Sequence, residues 1–314
     1  MLTEAELRGL ATLSETGECT VTEFADALGR SRSYTSELLT DLAEAGLVVT
    51  TTAGREKRIR LADTRAAETF ERLRRRHSHV DLAELLGGAT MRLVYFLDEP
   101  RSASTLASRA GVHRSTVYRS LQPLVDRGIV REDDSEYVLT DSFSDFATFA
   151  RELAHHVHRR RFDERIGGFV ILWETLDESL AETDEAVDAD DFHETGPRLF
   201  REYDLPLFVR EQHHYWYAPD ADGVSPVDLC CHQLCIDDGS RSKSYCLLLL
   251  AHADVDAGEL RDRATKYGVE DAVEELLTYL DTRGESRPAD LPRWDEFEGL
   301  AADYDVTVDT GVTG

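Results

Sequence analysis

Two stretches of the chain, "GRSRSYTSELLTDLAEAGLV" at residues 29–48 and "GVHRSTVYRSLQPLVDRGIV" at 111–130, open with a cluster of hydrogen-bonding side chains. The first offers Arg30, Arg32, Ser33, Tyr34 and Ser36, and the second His113, Arg114, Ser115, Thr116, Tyr118 and Arg119. Arginine can fork onto O6 and N7 of guanine, whereas Ser, Thr and Tyr hydroxyls mostly hold phosphates. These residue types, on the first turns of a helix, suit recognition of double-stranded DNA in the major groove. For each arginine the alternative is neutralisation of backbone charge without base contact. A further basic run, Arg55, Lys57, Arg58 and Arg60, follows the first stretch and suits phosphates or a narrow minor groove.

Other residues invite different chemistry. Cys230, Cys231, His232 and Cys235 fall within six positions, and Cys246, His213 and His214 are near in sequence. A zinc or redox site draws on such residues, but the CxxC spacing of ordinary zinc modules is missing, so a buried apolar helix is expected and no metal or cofactor. "DAD" at 188–190 has the paired carboxylates with which nucleotidyltransferases hold magnesium. The glycine–serine loop that should precede it is absent, since Gly167–Gly168 runs into Phe169, and a solvated acidic loop is the expectation. There is no G-x-S-x-G, phosphate-loop or dinucleotide fingerprint, and the chain is not read as an enzyme.

The two basic stretches belong to an internal repeat with an offset of 82 residues. Gly29, Arg32, Ser33, Leu39, Leu42 and Gly46 fall on Gly111, Arg114, Ser115, Leu121, Leu124 and Gly128. Each copy reads as a short helix (Thr22–Leu28; Thr105–Ala110), a glycine turn, a second helix and a hairpin. Ser31 or Ser33, and Ser115, are the expected N-caps of the second helices. The second helix should bury Leu38, Leu39 and Leu42, or Val117, Leu121 and Leu124. Its outer face should present Arg32, Tyr34, Thr35 and Ser36, or Arg114, Thr116, Tyr118 and Arg119. Gly46 and Gly128 should close these helices in the left-handed conformation. Pro123 should end or kink the second one near Gln122. "VVTTTAGREKRIRL" gives a basic hairpin around Ala53–Gly54, and "VREDDSEYVL" a shorter, acidic one that would repel a DNA backbone.

Acidic side chains number 62 against 35 basic ones, a formal charge of −27, and only Lys57, Lys243 and Lys266 are lysine. The imbalance is local. Residues 1–80 carry −1, residues 81–166 carry −2, and residues 167–314 carry −24. A surface rich in acid and poor in lysine stays hydrated in concentrated salt, as in halophiles, so the acidity does not exclude DNA from the first half. No targeting signal opens the chain, no apolar run approaches the roughly 18 residues of a membrane helix, and the odd cysteine count suggests no disulfide framework. A cytoplasmic protein without membrane contact is expected.

Helices are also expected from Thr64 into "RLRRRHSHV" and from Ser142 into "HHVHRRR". Phe143, Phe146, Phe149, Leu153 and Val157 give the latter an apolar face for packing within the chain or for a dimer contact. Beyond 167, "GGFVILWETL" and "HHYWYAP" read as strands, "DESLAETDEAVDADD" as an acidic segment, and "SPVDLCCHQLCI" as a helix capped by Ser225. A short helix and two longer ones follow, separated by Tyr267–Gly268–Val269.

Helix, turn, basic helix and hairpin together resemble the winged helix-turn-helix of bacterial and archaeal regulators, over residues 1–64 and 88–141. The "HRSTVYRSL…L…RGIV" form is fairly specific within that class. "LWETLDESL…TD…FHETGP" and the tail "KYGVEDAVEELLTYLDTRG" resemble the C-terminal halves of haloarchaeal helix-turn-helix regulators. The resemblance implies a mainly α fold with small β wings, two winged helix-turn-helix domains (1–80 and 81–141), a connecting helix (142–166) and an α+β C-terminal domain (167–314). It implies a homodimeric, sequence-specific transcription regulator whose acidic domain senses a small-molecule or protein effector or mediates assembly. The alternatives are an antitoxin-like or adaptor protein with a protein partner, and a nucleotidyltransferase-like enzyme fused to a DNA-binding module.

Overall fold

The repeat offset reappears in the structure, residue for residue. A computed structural model describes residues 1–53, 56–207, 211–253 and 255–308. Copy one comprises α1 (Glu4–Thr16), β1 (Cys19–Thr20), α2 (Val21–Leu28), α3 (Arg32–Glu44), β2 (Val48–Ala53) and β3 (Glu56–Leu61). After α4 (Arg65–Arg76), copy two comprises α5 (Leu82–Leu86), α6 (Ala89–Val94), β4 (Arg101–Ser102), α7 (Ala103–Ala110), α8 (Arg114–Asp126), β5 (Val130–Asp133) and β6 (Glu136–Leu139). From β4 to the start of β5, every boundary lies 82 residues after its counterpart in copy one. Each copy closes a three-stranded antiparallel sheet, β1-β3-β2 or β4-β6-β5.

Local chemistry explains these elements. Thr20 caps α2 in a full capping box, with Glu23 reaching back to the Thr20 amide at 2.7 Å. Ser102 caps α7 through the Thr105 amide alone, because residue 105 carries no carboxylate. Gly29 and Gly111 make the turn at a φ of 63° in both copies, which glycine adopts without a Cβ penalty. Ser31 caps α3 through the Tyr34 amide. The expected cap Ser115 instead lies inside α8, whose N-cap is His113 without a side-chain cap bond. Pro123 does not end α8 either. Thirteen residues are helical in both copies, since the proline sits in the final turn, where it removes only one ladder bond, and Leu121 and Leu124 anchor the segment in the core. The second hairpin turns on Asp134 and Ser135, both at positive φ, the signature of a two-residue primed turn.

Helix α9 (Asp145–Asp163) spends its apolar face inside the chain, burying Phe146, Phe149 and Leu153. Phe149 meets Phe70 of α4 at 5.6 Å, and His77 stacks on Phe143 at 4.6 Å while its Nε2 lies 3.2 Å from Asp145.

Contacts divide the chain into two units, Met1–Arg161 and Phe162–Gly314. The second holds an antiparallel sheet ordered β7-β8-β10-β9, from β7 (Phe169–Glu174), β8 (Ser179–Thr183), β9 (Phe192–Thr195) and β10 (His213–Tyr217). Its helices are α10 (Pro226–Ile236), α11 (Ser240–His252), α12 (Ala257–Tyr267), α13 (Glu270–Asp281) and α14 (Trp294–Asp303). One sheet face packs Phe162, Ile166, Phe192, Tyr215 and Tyr217, while Leu180 and Trp216 lie on the other. Cys230, Cys246, Leu247, Leu260, Leu276 and Phe297 form the core of the helices. Strand β8 arises within the stretch read as an acidic segment, where the flanking acids mask the buried Leu180 and Ala181. Among the described residues no helix is long and apolar enough to cross a membrane.

Candidate nucleic-acid interface

The first turns of α3 stand out into solvent. Arg30, Arg32, Ser33, Tyr34 and Ser36 are exposed, and the Arg30 guanidinium lies 5.5 Å over the Tyr34 ring. That contact prearranges a cation beside an aromatic hydroxyl at the helix entrance. A cleft of about 500 Å³ opens beside them, lined by Glu4, Arg8, Leu28, Arg30, Tyr34 and Leu38. Thr35, expected on the outer face, is fully buried, and its hydroxyl has no hydrogen-bond partner among the described residues. It occupies the core position that Val117 fills in copy two. Burying an unpaired hydroxyl costs about 1–3 kcal/mol. Thr35→Val, a change of nearly equal shape, should therefore raise stability by about 1 kcal/mol in urea denaturation, and a lower midpoint would contradict this.

In α8, His113, Arg114, Ser115, Tyr118 and Arg119 are exposed and Thr116 is half-buried. Arg114 Nη2 donates to the Tyr118 hydroxyl at 3.2 Å. The aromatic residue sits on the third residue of α3 but on the fifth of α8, so the two helices present different patterns at the same fold position. Tyr34 and Tyr118 are two of the four exposed large hydrophobic side chains among the described residues.

The wings differ in sign. In the first, Lys57 is exposed, Arg58 pairs with Glu18 at 3.1 Å, and Arg60 pairs with Asp63 at 2.9 Å. Exposed pairs of this kind are weak enough for a phosphate to compete. Arg55 lies outside the described residues. The second wing exposes Glu132, Asp133, Asp134 and Glu136. Glu132 accepts a hydrogen bond from buried Tyr137 at 3.0 Å, and burial together with that bond pushes the phenol up to about 12.

Residues 2–59 match the MarR family, residues 91–161 match the HVO_A0261 N-terminal domain, and residues 189–306 match the C-terminal model HVO_2833_C. None of these matches spans half of the chain, and over its first half the chain is similar to winged helix-turn-helix regulators. The MarR match covers α1 through most of β3, and the second runs from α6 into α9, so the two copies of the repeat match different models. No curated protein matches the chain.

The second unit buries a polar network that sequence reasoning missed. His232 is fully buried, with Nδ1 2.8 Å from Thr195 Oγ1 and Nε2 2.7 Å from the Tyr267 hydroxyl. Asp228, also buried, accepts from Ser225 at 2.6 Å, from Tyr267 at 3.4 Å and from Arg263. Lys266 reaches Glu178 at 2.6 Å and lies over the Trp216 and Tyr267 rings. Desolvation holds His232 down at about 3 and drives Tyr267 far above its ordinary value. The network ties α10 and α12 to β9, with each imidazole nitrogen matched to a hydroxyl. One signal was available in advance, since a histidine and an aspartate within a helix apolar enough to be buried need polar partners. The cysteines beside them are free thiols, and burial raises Cys231 and Cys235. Among the described residues no group of three or more metal-ligating side chains gathers. Asp188 and Asp190 are both exposed between β8 and β9.

Proposed function

We propose that the regulator binds double-stranded DNA sequence-specifically at promoters, reading it with α3 and α8 together, and that the C-terminal unit senses an effector or mediates assembly. The observation carrying this reading is the pair of exposed Arg–Ser helix starts at equivalent positions of two winged helices, each followed by an exposed tyrosine. Because the two faces differ, one chain recognises two unlike short sequences, and a homodimer doubles that set. The basic wing of copy one follows the phosphates, and copy two reads through its helix without its hairpin. The protein works in a salt-rich cytoplasm, where phosphate attraction fades and base contacts must supply more of the binding.

Arg32→Ala and Arg114→Ala, made separately, should each weaken the complex with DNA enriched from a random duplex pool. A lost bidentate base contact costs about 1–3 kcal/mol. Fluorescence anisotropy across a salt series measures the loss. Unchanged affinity for both variants at every salt concentration would remove direct readout by these helices.

A further inference from the structure

Helix α9 treats the two reading helices unequally. At the end of α3, Arg160 Nη1 donates to the carbonyl of Glu44 at 2.6 Å, and the same guanidinium lies 4.0 Å from the Glu44 carboxylate. A cation there faces the negative end of the helix dipole and satisfies a carbonyl that the ladder leaves open. Two residues on, Gly46 closes α3 at a φ of 68°, and the space a Cβ would fill is taken by the His156 ring, 1.9 Å from that position. The Gly46 carbonyl accepts from Thr64, the N-cap of α4, at 2.7 Å.

Among the described residues the end of α8 shows no such grip. Gly128 holds the same conformation, at a φ of 69°, but a Cβ there would meet nothing within 4 Å. The end of α8 is held from within its own repeat, with Arg127 reaching the Pro123 carbonyl at 3.2 Å and Glu84 at 3.1 Å. Helix α9 does meet copy two, but away from α8, where Arg151 pairs with Asp98 at 2.5 Å and lies 5.7 Å over the Tyr95 ring.

We propose that Arg160 and His156 are positioning residues for α3, so that the reading helix of copy one is set by α9 whereas that of copy two is set from within its own repeat. This rests on the reading of DNA by α3 and α8 given above. The lever is long: thirteen helical residues span roughly 18–20 Å, so a tilt of about 5° at the clamp moves Arg32 by about 1.6 Å. A bidentate contact to guanine does not survive such a shift.

The test is sequence selection from a random duplex pool by the full chain, comparing wild type with Arg32→Ala, Arg114→Ala, Arg160→Ala, Arg160→Lys, His156→Ala and Arg127→Ala. Arg32→Ala and Arg114→Ala should blur separate parts of the selected site. Arg160→Ala should weaken binding about fivefold and blur the part that depends on Arg32, leaving the Arg114 part sharp. Arg160→Lys, which keeps a cation at the helix end, should restore most of the preference. His156→Ala should blur the same part as Arg160→Ala, which guards against a folding defect of either variant. Arg127→Ala should leave the Arg32 part untouched. A site that stays sharp in both α9 variants, or blurs evenly across both parts, overturns the proposal while leaving DNA reading intact. Wild type that selects no sequence overturns DNA reading itself, and the proposal with it.

Discussion

Replacing His232 with asparagine should cost the protein about 2–4 kcal/mol at pH 7 and flatten its response to acid. The first effect comes from geometry. The imidazole is fully buried and serves Thr195 and Tyr267 at 2.8 and 2.7 Å, so a shorter side chain leaves at least one hydroxyl unpaired in the core. The second comes from proton linkage. In the unfolded chain His232 takes up a proton near its ordinary value of 6.5, whereas desolvation in the native state holds it at about 3. Stability from this group is fully present above pH 6.5 and is lost as pH falls towards 3, because only the unfolded chain binds the proton across that window. Between pH 7 and pH 5 the loss amounts to about 2 kcal/mol. His214, buried and also depressed by desolvation, contributes a slope of its own that persists in the variant. Urea denaturation at pH 7 and pH 5 decides the matter. If wild type and variant lose the same stability over that interval, His232 does not titrate as its burial requires.

That network also marks where the sequence stopped being readable. The Cys230–Cys235 stretch was recognisable as a buried helix, since Ser225, Pro226 and the run of small apolar residues are local signals. The partners of His232 lie 37 and 35 residues away, and no spacing rule reaches that far. Strand β8 was hidden for a related reason. Its two fully buried apolar residues, Leu180 and Ala181, are bracketed by acids, and only pairing with β7 and β10 makes them a core strand. In the first unit the determinants are local, and the reading reached single residues. Glycines at the turns, a leucine stripe and capping hydroxyls each act within a few positions, and the repeat supplies every argument twice. Thr35 shows what that duplication offers. Counting along the helix placed it outside, but its counterpart 82 residues later, Val117, belongs to the buried face of copy two. Comparing the copies position by position would have placed it in the core.

Gly46 and Gly128 are equivalent in the repeat, share a left-handed φ of 68° and 69°, and end helices of thirteen residues. An alanine in that conformation costs about 1–2 kcal/mol at either position. Their surroundings then separate them. At Gly128 the new methyl enters open space, so Gly128→Ala should cost no more than the backbone penalty. At Gly46 the methyl would fall 1.9 Å from His156 Nε2, and either the ring gives up its place or α3 shifts away from α9. Forcing a methyl into a filled site adds about 1–3 kcal/mol. Gly46→Ala should therefore be the worse variant by about 2 kcal/mol. His156→Ala in the same chain should bring its cost down towards that of Gly128→Ala, since the obstacle is gone. Equal costs for the two alanines, or no relief from His156→Ala, would mean that α9 does not press on the end of α3. Relief would measure that pressure directly in free energy, at the point where α9 bears on α3.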